Sequence, residues 1–304
     1  MATCSACVLR RVSPFIPRNE LFLAGILTRY TRKYNALHSF PVRCFSSGGV
    51  VFPWAQQLAD VYGRSPFLHR LVGGLSLARS LRKVPDGNLD VKEFLYSAKD
   101  CILLCTRLMA TLDCENKLEN LLSKALYRNT QRALDQLKTS SSDNGDLRMH
   151  LEVEKIRNLS IAGIRSVVGP DDAGDDYVFA EFLGQQCIIP ASEVEPMVNG
   201  IASFSMQHCR DIARAAFDEG FRFQIDVKFM TRERFFICRR LPNGLDDVLD
   251  GTKETVSCVH LWRFESQFDW QNYSQGIYPL DWVISDIDRF IQHNVPQPRP
   301  FFSQ

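Results

Sequence analysis

One histidine in this chain stands where acid–base chemistry would want it. In Glu254-Thr-Val-Ser-Cys-Val-His-Leu-Trp-Arg-Phe-Glu265 the residues alternate. Val256, Cys258, His260, Trp262 and Phe264 therefore share one face of a predicted strand, and Thr255, Ser257, Val259, Leu261, Arg263 and Glu265 share the other. Burial among apolar neighbours moves a side chain's pKa, which is the usual route to a general acid or base at neutral pH. His260 is the one ionisable residue on its face. Asp226 alternates away from the neighbouring phenylalanine face. Asp286 would follow Trp282 and Ile284 on theirs, close to the strand end. A histidine with no evident partner in such company is ordinarily a packed core residue. His69, His150 and His208 are isolated in the sequence. No nucleophile elbow, P-loop, dinucleotide fingerprint or metal-ligand spacing occurs. The acidic turn Pro170-Asp-Asp-Ala-Gly-Asp-Asp176 puts Ala173 where a calcium loop needs a ligand, and no correctly spaced glutamate follows. No catalytic residue, metal or cofactor is expected.

The elements that would position this strand are legible on both sides of it. Upstream, Phe221, Phe223, Ile225, Val227 and Phe229 alternate with Arg222, Gln224, Asp226 and Lys228, and pairing continues past a kink at 231–234 to Arg240. Pro242-Asn-Gly244 opens a long hairpin loop ending near Thr252. Downstream, Pro279 to Ile287 forms a last strand with Leu280, Trp282 and Ile284 on one side, reached through a polar connection bent at Gly276. Helices come earlier. Asp90 with Glu93 makes a capping box before a stripe of Phe94, Leu95, Ala98, Cys101, Ile102, Cys105, Leu108, Met109 and Leu112. A second stripe runs from Leu118 to Leu137, and 139–146 reads as a loop. A strand is predicted over 155–168, weak strand content over 177–200, and a helix over 203–220 closed by Gly220. Helices followed by a strand and a meander give an α+β class, with helices on one face of a curved antiparallel sheet.

Charge is unevenly spread. Residues 1–45 hold seven basic residues against one acid, Glu20, so a chain of net charge +1 is left at −5 beyond them. A basic, acid-poor start bearing serine and threonine is the composition of a mitochondrial transit peptide. Arg43-Cys-Phe-Ser46 matches a matrix-processing site, with cleavage expected between Phe45 and Ser46. No stretch approaches the roughly 18–20 apolar residues that span a bilayer. The seven cysteines beyond residue 45 show no C-x-x-C pairing and read as reduced core thiols.

Residues 46–88 form a basic entry segment. Trp54, Leu58, Val61 and Tyr62, then Phe67, Leu68, Leu71, Val72, Leu75, Ala78 and Leu81, recur at helical spacing, with Ser65-Pro66 between the two sets. Arg64, Arg70, Arg79, Arg82 and Lys83 dominate the polar positions, and Asp60 is the one acid from Trp54 to Lys83. Such a helix suits an anionic membrane surface, and equally a helix packed on its own domain with a solvated basic side. The acidic remainder disfavours nucleic acid, DNA in particular, although the basic segment could touch ribosomal RNA phosphates.

Leu261-Trp-Arg-Phe-Glu265 in the penultimate strand and Asp281-Trp-Val-Ile284 in the last resemble the Tim forty-four-like domain family. So does the opening helix at Leu89-Asp-Val-Lys-Glu-Phe-Leu-Tyr-Ser-Ala-Lys99. The resemblance covers about residues 89–290 and departs from the pattern at an insertion over about 170–215. It implies a domain over 89–304 with a cone-shaped, NTF-two-like fold. It implies a mitochondrial matrix adaptor, soluble or peripheral on the inner membrane, rather than an enzyme. The partners implied are subunits of the m-AAA protease and newly imported inner-membrane proteins, such as the calcium uniporter regulator. Relatives associated with the large mitochondrial ribosomal subunit or the import motor give an alternative, and an enzyme with His260 in its pocket another. On the adaptor reading, Phe223, Phe229, His260, Trp262 and Trp282 line a concave apolar binding face. The competing account is that they pack against the chain's own helices.

Overall fold

The computed structural model describes residues 52–81, 90–111, 117–143, 147–171, 176–182, 185–193, 206–241, 243–267, 281–291 and 299–300. The expected cleavage point at Phe45 and Ser46, most of the connection bent at Gly276, and Arg82 and Lys83 lie outside them.

Asp90 caps the helix that follows it: its carboxylate accepts from Lys92 N (2.7 Å) and Glu93 N (3.4 Å). The elements in chain order are α1 (Phe67–Leu81), α2 (Val91–Thr111), α3 (Lys124–Asp143), β1 (Leu147–Val168), β2 (Tyr177–Phe182), β3 (Gln185–Pro190), α4 (Met206–Glu219), β4 (Phe221–Arg240), β5 (Asp246–Gln267), β6 (Val283–Ile287) and β7 (Arg299–Pro300). The strands form one open, mostly antiparallel sheet in the order β6-β5-β4-β1-β3-β2-β7, with β1–β3 and β2–β7 parallel. The class is α+β, as the order of elements predicts.

The main core lies between α2, α3 and one face of β1, β4, β5 and β6. Ile102, Cys105, Met109, Leu118, Leu126, Leu134, Phe223, Ile225, Val227, Phe229, Trp262, Phe264 and Ile284 are buried there. The alternation of β4 and the apolar stripes of the helices both point into this layer, so two independent periodicities agree on it.

Several boundaries differ from the sequence reading. The set Trp54, Leu58, Val61 and Tyr62 is not helical. Residues 52–66 run as irregular chain, and the regular helix begins at Phe67. Trp54 and Tyr62 are drawn to opposite faces of the sheet, which no single helix could serve. The predicted loop over 139–146 is helical as far as Asp143. β1 starts at Leu147 and β5 at Asp246, because both pair along the full length of β4. The insertion is part of the sheet: β3 pairs with β1, and α4 packs on β3 through Ala216 and Ile189.

The 52–66 segment takes an indirect path. Trp54 starts on the core face, against Phe235, His260 and Trp262. β6 stops pairing at Trp262, and beyond it Gln57 O accepts the amide of Val259 (2.8 Å). The chain then crosses the opposite face. Tyr62 packs there on Ala162, Val259 and Leu261, and Asp60 pairs with Lys228 (2.6 Å). Ser65 N donates to Ala162 O (2.9 Å), and α1 settles on β1. Its contact is intimate: a Cβ on Gly73 would sit 2.2 Å from the Ile164 carbonyl oxygen.

Candidate functional site

The five residues expected to line a binding face are brought together, but not on a surface. Phe229 stacks on His260 (centroids 5.4 Å apart) and meets Trp262 edge-on (5.8 Å), while Phe94 of α2 packs on both Phe264 and Trp282. Phe223, Phe229, His260 and Trp262 are fully buried, and Trp282 is half-buried. The expectation of a concave, partner-accepting face is corrected by this packing: α2, α3 and the Phe52–Trp54 segment already occupy it. Burial of large aromatics supplies much of a domain's stability, so a face this apolar is worth most when covered by its own chain.

His260 has partners after all. Its Nε2 lies 2.9 Å from Glu233 Oε2 and its Nδ1 lies 2.8 Å from Asp288 Oδ2. Carboxylates accept and do not donate when ionised, so both ring nitrogens carry protons and the ring is an imidazolium. Burial alone would lower its pKa, but Asp288 and Glu233 together outweigh that and push it up to about 10. Glu233 is driven by burial towards its neutral form, yet the imidazolium and the donors around it hold its pKa below the usual value.

Further donors close the shell. Glu233 accepts from Thr231 Oγ1 (2.7 Å) and from the indole N–H of Trp54 (3.0 Å). Asp288 accepts from Leu261 N (2.9 Å) and Ala55 N (3.4 Å), and burial together with the Asp288 carboxylate holds the Tyr62 phenol in its protonated form. The backbone makes this possible. Asp288 and Arg289, just past β6, both adopt left-handed conformations (φ 52° and 63°), which curl the Asp288 carboxylate back towards β5. Such positions are uncommon outside glycine and require the surroundings to hold them.

This constellation has the composition of an acid–base site without its access. His260 and Glu233 are sealed from solvent, and Cys258 beside them has its thiol pushed towards the protonated form by burial and by Glu233. Among the described residues, no group of three or more His, Cys, Asp or Glu is placed to hold a metal ion. No disulfide joins Cys101, Cys105, Cys187, Cys238 or Cys258.

Sequence reasoning missed Glu233, although its parity was available: 229, 231 and 233 continue the alternation of Phe221 to Phe229 through the presumed kink. Asp288 had no such signal, because it lies beyond the strand. Asp286 was expected on the face of Ile284. A register shift in the β5–β6 ladder sets it opposite Arg263 instead.

The outer face of the same strands carries a second ionic group. Asp226 receives Arg165 Nη2 (2.6 Å) and Arg263 Nε (2.8 Å). Burial would raise its pKa, but the two guanidinium groups prevail and hold it at about 2.

The exposed surface of interest is α1. Phe67, Leu68, Leu71 and Leu75 are 43–67% exposed, and they fall on one side of the helix at i, i+1, i+4 and i+8. Leu58 is exposed just upstream. Arg64 is exposed beside this stripe, Arg70 is half-buried, and Arg79 lies on the last turns of the helix. Among the described residues, no helix is long and apolar enough to cross a membrane. Compared with protein-family models and with curated proteins, the chain matches none.

Proposed function

We propose that this protein is a non-enzymatic mitochondrial matrix adaptor that rests on the anionic face of the inner membrane through α1. There it would support the biogenesis of newly imported inner-membrane proteins in association with the m-AAA protease. The observation that carries the reading is the exposed Phe67–Leu75 stripe beside basic residues, in a molecule whose other large apolar face is filled. A soluble domain rarely leaves four large apolar side chains adjacent and uncovered without a use for them. Basic residues near an anionic surface contribute about 1 kcal/mol each, and an apolar stripe lying in the interface adds to that. The sealing of His260 supports the non-enzymatic part. The choice of protease partner rests on the Leu261–Glu265 and Asp281–Ile284 motifs and on the basic, acid-poor N-terminus.

Two measurements test this. The chain beginning at Ser46 should float with cardiolipin-containing vesicles, release as salt rises, and ignore neutral vesicles. Binding that is absent, or indifferent to salt, sinks the membrane half. Affinity purification from mitochondria should recover m-AAA protease subunits; consistent recovery of the large ribosomal subunit instead would move the assignment to the ribosome.

A further inference from the structure

We infer that His260 is a positioning residue for α1: the Glu233–His260–Asp288 cluster is the lock on a strap, Phe52–Gly63, that fastens the helix to the sheet. This deepens the membrane reading, since it concerns how the proposed binding helix is held, but its test uses no lipid.

The argument starts from where the strap's polar anchors go. The Trp54 indole donates to Glu233 and the Ala55 amide donates to Asp288. Two anchors from adjacent strap residues thus end one on each of the two carboxylates that His260 pairs. Trp54 also stacks on the imidazole itself, with centroids 4.8 Å apart. Other attachments exist, namely Val259 N to Gln57 O and the Lys228 ammonium to Asp60 and to Tyr62 O. The Lys228–Asp60 pair is exposed, where an ion pair holds little, and the Lys228 bond to Tyr62 O is partly buried. Between Trp54 and Tyr62, Leu58, Ala59 and Asp60 are exposed, while Ala55, Gln56, Gln57 and Val61 are half-buried.

Remove the cation, and Glu233 and Asp288 become two like charges in a sealed space. The least disruptive escape is for the strap to lift, because water then reaches both carboxylates while α2, α3 and the sheet stay packed. The groups that face the cluster are Thr231 and Cys258 from β4 and β5 and Trp54 from the strap; Tyr62, with Asp286 and Arg289 near it, lies beside Asp288 on the outer side. Arg289 sits over the Tyr62 ring at 5.6 Å. Of these, Arg289 is the cation beside Tyr62, and it does not take the place of His260 between the two carboxylates.

Limited trypsin digestion of the chain from Ser46 reads this directly, through cleavage after Arg64 and Arg70. For His260→Gln at neutral pH, cleavage there should rise about tenfold or more, while near-ultraviolet dichroism of the core aromatics is retained. Trp54→Phe, which removes one strap anchor and leaves the cation, should raise cleavage by a few-fold only. In the unaltered chain, cleavage should climb as pH approaches 10, and the His260→Gln chain should lack that rise. Cleavage that increases only together with loss of the core signal, or not at all in either variant, overturns the proposal. A freed strap with no vesicle binding would leave the lock standing and remove the membrane reading, so the two fail separately.

Discussion

Two buried ionic clusters lie on opposite faces of β4 and β5, and they are built with opposite signs. On the core face a cation, His260, stands between two anions; on the outer face an anion, Asp226, stands between two arginines. The first is cut off from water, whereas Arg165 and Arg263 keep part of their side chains wet (24% and 17%). Excess charge is therefore handled differently. The outer cluster leaves its surplus positive charge to solvent and to nearby acids, Asp286 and Glu265. The sealed cluster spreads its surplus negative charge over neutral donors from Trp54, Thr231, Ala55 and Leu261. An ion group deprived of water needs oriented dipoles more than it needs counter-charges.

The largest effect expected from this contrast is at His260. His260→Leu leaves two carboxylates unpaired in a dry space and should cost about 3–5 kcal/mol in denaturant unfolding. Asp226→Asn should cost less, about 1–3 kcal/mol, because both arginines can turn to water. If it costs more than His260→Leu, the contrast between dry and wet clusters is broken. The pH dependence should split along the same line. His260, raised from 6.5 to about 10, gives stability that is complete below about 6.5 and lost as pH rises through 10. Asp226, lowered from 3.8 to about 2, gives stability that is complete above about 3.8 and lost as pH falls through 2. Unfolding free energies measured across pH should thus lose the alkaline limb in His260→Leu and the acid limb in Asp226→Asn. The smallest effect belongs to α1: Leu71→Ser should change stability by no more than about 0.5 kcal/mol yet weaken vesicle flotation. A large loss of stability there would mean the stripe serves folding.

Much of the frame could be read from periodicity, because alternation and helical spacing report which side of an element is covered. Cys258, His260, Trp262 and Phe264 share the buried face as their parity requires, and Asp90 starts its helix as its carboxylate predicts. Parity does not say what does the covering. The same aromatics would suit a partner's helix or the chain's own, and here α2 and α3 take the place. The apolar stripe of α1 has the matching ambiguity, and its exposure is settled by packing across long sequence separations. Asp288 reaches His260 through two left-handed residues, a local backbone choice with no glycine to announce it. Trp54 meets Glu233 across 179 positions, a distance over which no short-range pattern carries information.

Gly73 has a consequence for the rim of this molecule. With its α-carbon pressed on the Ile164 carbonyl, α1 has one permitted roll about its long axis, and the absence of a side chain decides which flank is left bare. An alanine there would act like a pebble under a beam, tilting the helix and turning its greasy flank inward or askew. The orientation of the outermost helix is thus dictated by its least bulky member.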